Sequence, residues 1–522
     1  MKSVLIFFLA FLAFSLKAQV PEPALISLRV YTGDGGDGIG TKVEKTSDGG
    51  FILGIGSNSS TGTVVDSFCN SPHNRAIFAK YSADGVIKEW DMCRKSTWGD
   101  TGWGFVFQTV DSKYVFGGTA SSGNSWVIRK EDASGNILWT KGYGGTGSQM
   151  LHDMISTEDG GYVLFGSSYG GDGDIGFHYG GSGTRDFWLL RVDANGNKLW
   201  SKVYGGTQED LAASIMKAPS GGFYLVGSTG SSDFDCTGNK GRSDVYIARV
   251  NTAGEMIWHK CIGGSGNDGG GEGEACRGIT NGKGGVLIAT GTRSSDGDVT
   301  HKINDIGRNV WLVDIDSNGS IEWDNCYGGG GDEYANSLCI GTDGGIWLIG
   351  CSRLVGGQVN VAYGASSDAY VIHTDSNGNF LNAKVLGSSG QDAGYMIYPL
   401  SDGSVLAGGY YGRGDGVFPT ADPSGVDAFL VKFANWSNNV ATVESGSSIS
   451  VFPNPASERI NIATSNNSII RVIVTDIVGS VVYQSDFFNS IQIRINNWTP
   501  GTYLVQLIDE DGCREVKKVT VQ

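Results

Sequence analysis

One structural unit, written seven times, constrains this chain more than any other feature. The segment Asp186-Phe-Trp-Leu-Leu-Arg-Val-Asp193 aligns with residues 75–82, 125–132, 244–251, 309–316, 368–375 and 427–434. A second signature, a glycine turn entering an apolar run, reads Asp48-Gly-Gly-Phe51, Asp159-Gly-Gly-Tyr162 and Asp343-Gly-Gly-Ile346, with four variants elsewhere. A third puts Gly135, Gly196, Gly254 or Gly319 four residues before Trp139, Trp200, Trp258 or Trp323. Each copy holds four short apolar runs bounded by Gly, Asp, Asn and Ser, the pattern of antiparallel hairpins. One such sheet cannot bury both its faces, but seven packed around an axis can. The pattern therefore predicts an all-β, seven-bladed β-propeller; a linear β-solenoid, with shorter repeats and parallel strands, is the competing arrangement. Glycine makes up 83 of 522 residues, about twice the usual share, because these turns demand positive φ. The seventh copy stops after its third strand, whereas Leu25-Ile-Ser-Leu-Arg-Val-Tyr31 resembles an isolated fourth strand. The first strand is expected to complete the last blade and close the ring.

The chain begins Met1-Lys2, then a nearly unbroken apolar run from Val4 to Leu16, then Ala18 before Gln19. This reads as a cleaved signal peptide over residues 1–18, too short to span a bilayer comfortably. No later stretch reads as transmembrane. Lys and Arg total 38 against 54 Asp and Glu, a net charge of −16. Like charge disfavours nucleic acid and anionic membrane surfaces as partners. Cysteines in an exported chain are free to pair. Cys69 and Cys236 lie in equivalent loops, 24 and 25 residues before Cys93 and Cys261. They suggest disulfides Cys69–Cys93 and Cys236–Cys261, although connectivity does not follow from spacing.

The loops between second and third strands are long in six copies and shrink to residues 120–125 in the second. Long loops on a rigid scaffold are the default place for binding. Several carry acidic glycine clusters, notably Asp172-Gly-Asp174 and Asp296-Gly-Asp298. Asp172, Asp174, Asp296 and Asp298 offer hard oxygen donors for calcium; the alternative is a solvated acidic turn. Arg413-Gly414-Asp415 has the form of an integrin-recognition tripeptide, which three residues also reach by chance. No catalytic constellation emerges: the six histidines are scattered and no nucleophile elbow is present. Glu209-Asp210 and Asp332-Glu333, near the starts of inner strands, are the acid pairs a glycoside hydrolase would need at the channel.

After a polar linker at 435–448 the repeat disappears. Residues 449–522 contain Pro453-Asn454-Pro455, then an Asp-x-x-Gly479 turn before Val481-Val-Tyr483, and Pro500-Gly501-Thr-Tyr503. Short strands over this length predict a compact Ig-like β-sandwich. This tail closely resembles the type A C-terminal sorting domain of the type IX secretion system of Bacteroidota. Ser480 departs from a lysine frequent in that family. The resemblance implies export to the periplasm and then through an outer-membrane translocon, with type IX secretion machinery as partner and a secreted or cell-surface destination. The repeat half, residues 19–434, resembles glycine-rich repeat proteins often joined to this tail. The reading is an exported, non-catalytic binding or scaffold protein with an extracellular glycan or protein ligand. An extracellular polysaccharide-acting enzyme and an adhesin are the alternatives.

Overall fold

The structure, a computed structural model, describes residues 25–31, 37–57, 75–85, 87–95, 104–109, 111–120, 125–181, 183–269, 276–303, 307–353, 358, 362–363, 366–418, 426–434, 450–452, 456–463, 469–476, 481–488, 490–508 and 514–521. The expected signal peptide, the linker, Cys69, Pro453, Asn454, Pro455 and Gly479 lie outside them, as does the side chain of Cys93. The chain divides into two units, Met1–Trp436 and Ser437–Gln522.

The first unit is a β-propeller. Its described strands form seven four-stranded antiparallel sheets. Sheet 1 holds Asp37–Lys45, Phe51–Ser57, Arg75–Tyr81 and Lys88–Lys95. Sheet 2 holds Phe105–Gln108, Tyr114–Thr119, Ser125–Glu131 and Ile137–Gly144. Sheet 3 holds Gln149–Ser156, Tyr162–Ser168, Asp186–Val192 and Lys198–Tyr204. Sheet 4 holds Asp210–Lys217, Phe223–Thr229, Asp244–Val250 and Met256–Ile262. Sheet 5 holds Arg277–Thr280, Val286–Thr292, Asn309–Ile315 and Ile321–Tyr327. Sheet 6 holds Glu333–Ile340, Ile346–Ser352, Asp368–Thr374 and Phe380–Leu386. Sheet 7 holds Ala393–Pro399, Val405–Tyr411 and Asp427–Phe433, and its fourth strand is Leu25–Tyr31. That strand runs antiparallel to the third, with Arg29 opposite Leu430 and Tyr31 opposite Ala428. The first strands of neighbouring sheets touch in cyclic order, and those of sheets 7 and 1 touch as well. The ring is thus closed by the strand the sequence left over, which covers the edge of Asp427–Phe433 that would otherwise stay open.

The repeated motifs explain how each sheet holds its neighbour. In the hairpin between third and fourth strands, Asp193 Oδ1 accepts the backbone N–H of Asn195 at 2.9 Å and of Asn197 at 2.8 Å. Gly196 sits there at φ +75°, a conformation side chains resist. Asp132, Asn251, Asp316 and Asp375 cap their turns alike. The tryptophan that follows such a turn lies beneath the next sheet's turn: a methyl group on Gly254 would come within 2.9 Å of the Trp200 ring. Tyr143 donates its hydroxyl to Gly196 O at 2.6 Å, and Tyr204 bonds Gly254 O in the same way. Glycine and aromatic recur together because close backbone approach and ring burial are one contact.

The second unit has a three-stranded sheet of Ser450–Phe452, Arg459–Ala463 and Ser490–Arg494. A four-stranded sheet runs Val481–Phe488, Ile469–Asp476, Gly501–Ile508 and Arg514–Val521. Ile460, Ile462 and Ile493 from one meet Val472, Val505 and Val519 from the other in a single apolar core, the signature of a sandwich. Tyr503 is buried in that core and donates its hydroxyl to Thr499 O at 2.8 Å. No helix among the described residues is long and apolar enough to cross a membrane.

Candidate functional site

The long-loop rim is described for sheets 3, 4 and most of sheet 5. Its acidic clusters tie each loop to the turn that leaves the preceding sheet. Asp172 accepts the Thr146 backbone N–H and hydroxyl, both at 2.8 Å. Asp233 does the same with Thr207 at 2.9 and 2.8 Å. Asp296 takes the Ser265 N–H at 2.7 Å. In the first and last of these clusters the second acid takes a glycine N–H and a lysine. Asp174 binds Gly144 N at 3.2 Å and Lys198 Nζ at 2.5 Å. Asp298 binds Gly263 N at 3.0 Å and Lys240 Nζ at 2.6 Å. Backbone hydrogen bonds from Thr146 and Ser265 hold Asp172 and Asp296 below the usual carboxylate range. Each of the four acids expected to ligate calcium thus accepts hydrogen bonds from the protein's own donors. Among the described residues no three or more His, Cys, Asp or Glu side chains converge as a cation site. Millimolar calcium or excess chelator is expected to leave the thermal midpoint of the full chain unchanged by calorimetry. A calcium-dependent rise would return these acids to the role of ligands.

The integrin-like tripeptide is built into the same device. Asp415 accepts the Ser389 N–H and hydroxyl, each at 2.6 Å. Cys236 and Cys261, expected as a disulfide, are both free and buried in the structure. Residues 234–236 make a short 3-10 turn that aims the Cys236 sulfur at Asp210 Oδ1, 3.6 Å away. The Cys261 sulfur meets Cys236 O instead, at 3.7 Å. Burial pushes the Cys261 thiol up to about 12, so it is held un-ionised.

The acids that hydrolysis would need do not meet in the channel. Glu209 pairs with Arg185, and Asp332 with Arg293 at 3.0 Å. Asp210 and Glu333 are fully buried between sheets. A cavity of about 410 Å³ is lined by residues of the first strands, including Lys42, Phe105, Asp153, Arg277 and Tyr398. Lys42 and Asp153 pair within it, and Arg277 donates to the Ala213 and Asn336 carbonyls. Lys42 Nζ binds Asp153 Oδ1 at 2.5 Å and Met154 O at 2.6 Å, and Asp153 Oδ2 accepts the Ile215 N–H at 2.9 Å. These bonds join sheets 1, 3 and 4.

What the rim offers a ligand is aromatic. Phe177 and Tyr179 in the sheet 3 loop stand edge to face, with centroids 4.7 Å apart, and Phe234 of the sheet 4 loop joins Tyr179 at 5.1 Å. Phe177 is 54% exposed and Phe234 61%. Phe234 holds φ +48°, a strained setting for a bulky L-residue. The Tyr179 hydroxyl donates to Asp235 Oδ2 at 2.7 Å, fixing the central ring. Two large apolar side chains thus face solvent beside carboxylates, on loops rich in Gly, Asp and Ser. That compositional oddity was the available sequence signal. Neither loop alone reveals that the rings meet.

A family model described as a secretion system C-terminal sorting domain matches residues 450–522. Over 233 residues the chain is 28% identical to the regulatory protein FlaEY of Caulobacter vibrioides, covering 42% of this chain and 24% of that protein. Over 79 residues it is 34% identical to an endo-acting ulvan lyase of Formosa agariphila, covering 15% of each. The chain thus spans about a quarter or less of the curated relatives it matches. Among solved structures, it is similar to the extracellular domain of a putative hybrid two-component system of B. thetaiotaomicron, at TM-score 0.42 and 11% identity. That match covers 96% of this chain and 60% of the other.

Proposed function

We propose, on the premise that residues 450–522 are a secretion-system C-terminal sorting domain, that this chain is an exported, non-catalytic binding protein. Its long-loop rim holds a hydroxyl-rich, neutral glycan against the Phe177–Tyr179–Phe234 platform. The observation that carries the reading is Phe234: an exposed ring kept at positive φ. Strain of this kind persists where it serves a site. Aromatic surfaces take the apolar face of a sugar, and flanking Asp233 and Asp235 accept hydrogen bonds from its hydroxyls. The net charge of −16 disfavours polyanionic polymers.

The test is a glycan array on the full chain, followed by calorimetric titration with the best neutral oligosaccharide. Phe234→Ala is expected to weaken binding at least tenfold, as loss of an aromatic anchor does. Phe234→Gly should weaken binding equally while raising stability by about 1 kcal/mol, because glycine adopts positive φ without strain. Unchanged affinity in both variants would sink the reading. Release of shortened oligosaccharides would replace binding by catalysis.

A further inference from the structure

Where the third strand of one sheet opens, its first residue faces the acid that opens the first strand of the next sheet. Asp186 of sheet 3 faces Asp210 of sheet 4, and Asp244 faces Asp268 before sheet 5. Asn309 faces Glu333 of sheet 6, and Asp368 faces Asp392 before sheet 7. All eight residues are at most 3% exposed. Each pair closes around a turn glycine. A methyl on Gly263 would lie 2.7 Å from both Asp244 Oδ1 and Asp268 Oδ2, and one on Gly205 would run into Asp186 Oδ1 and Asp210 Oδ2. Asp368 and Asp392 hydrogen-bond each other directly.

The two members are not equivalent. The first-strand acids are rich in donors. Asp268 takes the Thr292 hydroxyl at 2.5 Å, the Ser294 hydroxyl at 2.6 Å and the Gly264 N–H at 2.7 Å. Asp392 takes two N–H groups and the Ser388 hydroxyl. Such a donor set stabilises the ionised form. The third-strand acids have one satisfied oxygen. Asp186 Oδ2 accepts the Tyr179 N–H at 2.6 Å, Asp244 Oδ2 the Lys240 N–H at 2.8 Å, and Asp368 Oδ2 the Tyr363 N–H at 3.0 Å. Their Oδ1 atoms are buried and meet no N–H donor.

The fourth seam shows what belongs on that atom. Asn309 Oδ1 accepts the Ile303 N–H at 3.1 Å, as the aspartates' Oδ2 atoms accept theirs. That bond orients the amide. Its Nδ2 takes the place of Oδ1 beside Gly328 and donates to Glu333 Oε2 at 3.3 Å. An asparagine amide is the neutral, donating counterpart of a protonated aspartate.

We infer that Asp186, Asp244 and Asp368 are held as neutral carboxylic acids, each donating its Oδ1 proton to the facing carboxylate of Asp210, Asp268 or Asp392, so that three acid–acid locks join the sheets and release as pH rises. Each lock holds one proton on two carboxyls. Losing it leaves two like charges in a buried seam. Burial raises Asp186, Asp244 and Asp368 to about 6 and raises Asp392. It raises Asp210 to about 7, so the first seam's proton is shared between Asp186 and Asp210, and it raises Glu333 of the Asn309 seam to about 7. Folded acids with raised values bind more protons than the unfolded chain. Their stabilisation is complete below the ordinary aspartate range and is lost as pH rises through about 6 to 7. The other groups facing the first seam are His178, Glu209, Asp235 and Cys236, and those facing the second are Lys240 and Asp298. At the third seam Asp368 and Asp392 face each other, with Tyr410 near enough to feel the Asp392 charge.

The experiment compares equilibrium unfolding of the full chain between about pH 4 and 8.5 in the wild type, Asp368→Asn and Asn309→Asp, because the slope of each lock lies between the ordinary aspartate range and its raised value. The folding constant of the wild type is expected to fall with pH, by up to about tenfold per pH unit for each lock that opens. Asp368→Asn, which copies the natural Asn309, should flatten that slope and be the more stable form at pH 8.5. Asn309→Asp should add a fourth lock and steepen it. Infrared spectra would show a protonated-carboxyl band above the ordinary aspartate range that shrinks in Asp368→Asn even if stabilities shift for other reasons. Equal slopes in all three chains, or absence of that band at pH 5.5, would overturn the inference. So would restoration of wild-type stability at pH 8.5 by calcium, which would make the seams cation sites.

Discussion

A chain lacking residues 1–31 is expected not to fold. Sheet 7 takes its fourth strand from Leu25–Tyr31, paired along its length to Asp427–Phe433, and every residue of that partner strand is buried. Leu28 and Val30 pack against the cluster that contains Phe429, Val431 and Phe433, and Tyr31 is buried beside Leu430. Uncovering such side chains costs roughly 1.5–3 kcal/mol each, and the ladder bonds of the strand are lost too. The sum approaches the about 5–15 kcal/mol by which a domain is stable at all. An uncovered apolar strand edge also invites association. The truncated chain should be recovered as aggregate, without a cooperative melt. A permuted chain carrying residues 25–31 after Phe433 through a short turn should regain the wild-type midpoint. Equal midpoints for truncated and intact chains would show that ring closure contributes nothing.

The second large effect is on location. Removing residues 437–522 should leave the propeller folded, since the two units have separate cores. The protein should nevertheless stop reaching the surface or medium of a host with a type IX system, with at least a tenfold fall by immunoblot and accumulation in the periplasm. The tail fused to an inert exported reporter should carry it out. Tyr503→Ala should act in the same direction, because emptying a buried aromatic position costs about 3–5 kcal/mol and a small sandwich has little to spare. Normal surface levels without the tail would separate the sorting domain from export.

Much of the architecture was legible because its causes are local. Asp193, Asn195, Gly196 and Asn197 close one turn among themselves, so the motif announces itself at every repeat. The leftover strand at residues 25–31 was legible by counting. The site was less so. Asp172 and Asp174 read from the sequence as calcium ligands, and only the structure shows that Thr146 and Lys198 reach them from flanking segments. Cys236 and Cys261 are close neighbours whose sulfurs bond elsewhere. Phe177 and Phe234 belong to different copies, and only the ring places both against Tyr179.

The amino-acid sequence by itself determined the repeated hairpins, their turns, the strand shared between the ends of the ring and the sorting tail. Each of these follows from residues within a few positions of one another or from the count of repeats. Tertiary structure decided which carboxylates are staples, which share a proton and which aromatic rings form a surface. Those roles depend on atoms of neighbouring sheets meeting within hydrogen-bond or van der Waals distance, and such forces act through space without regard to order along the chain.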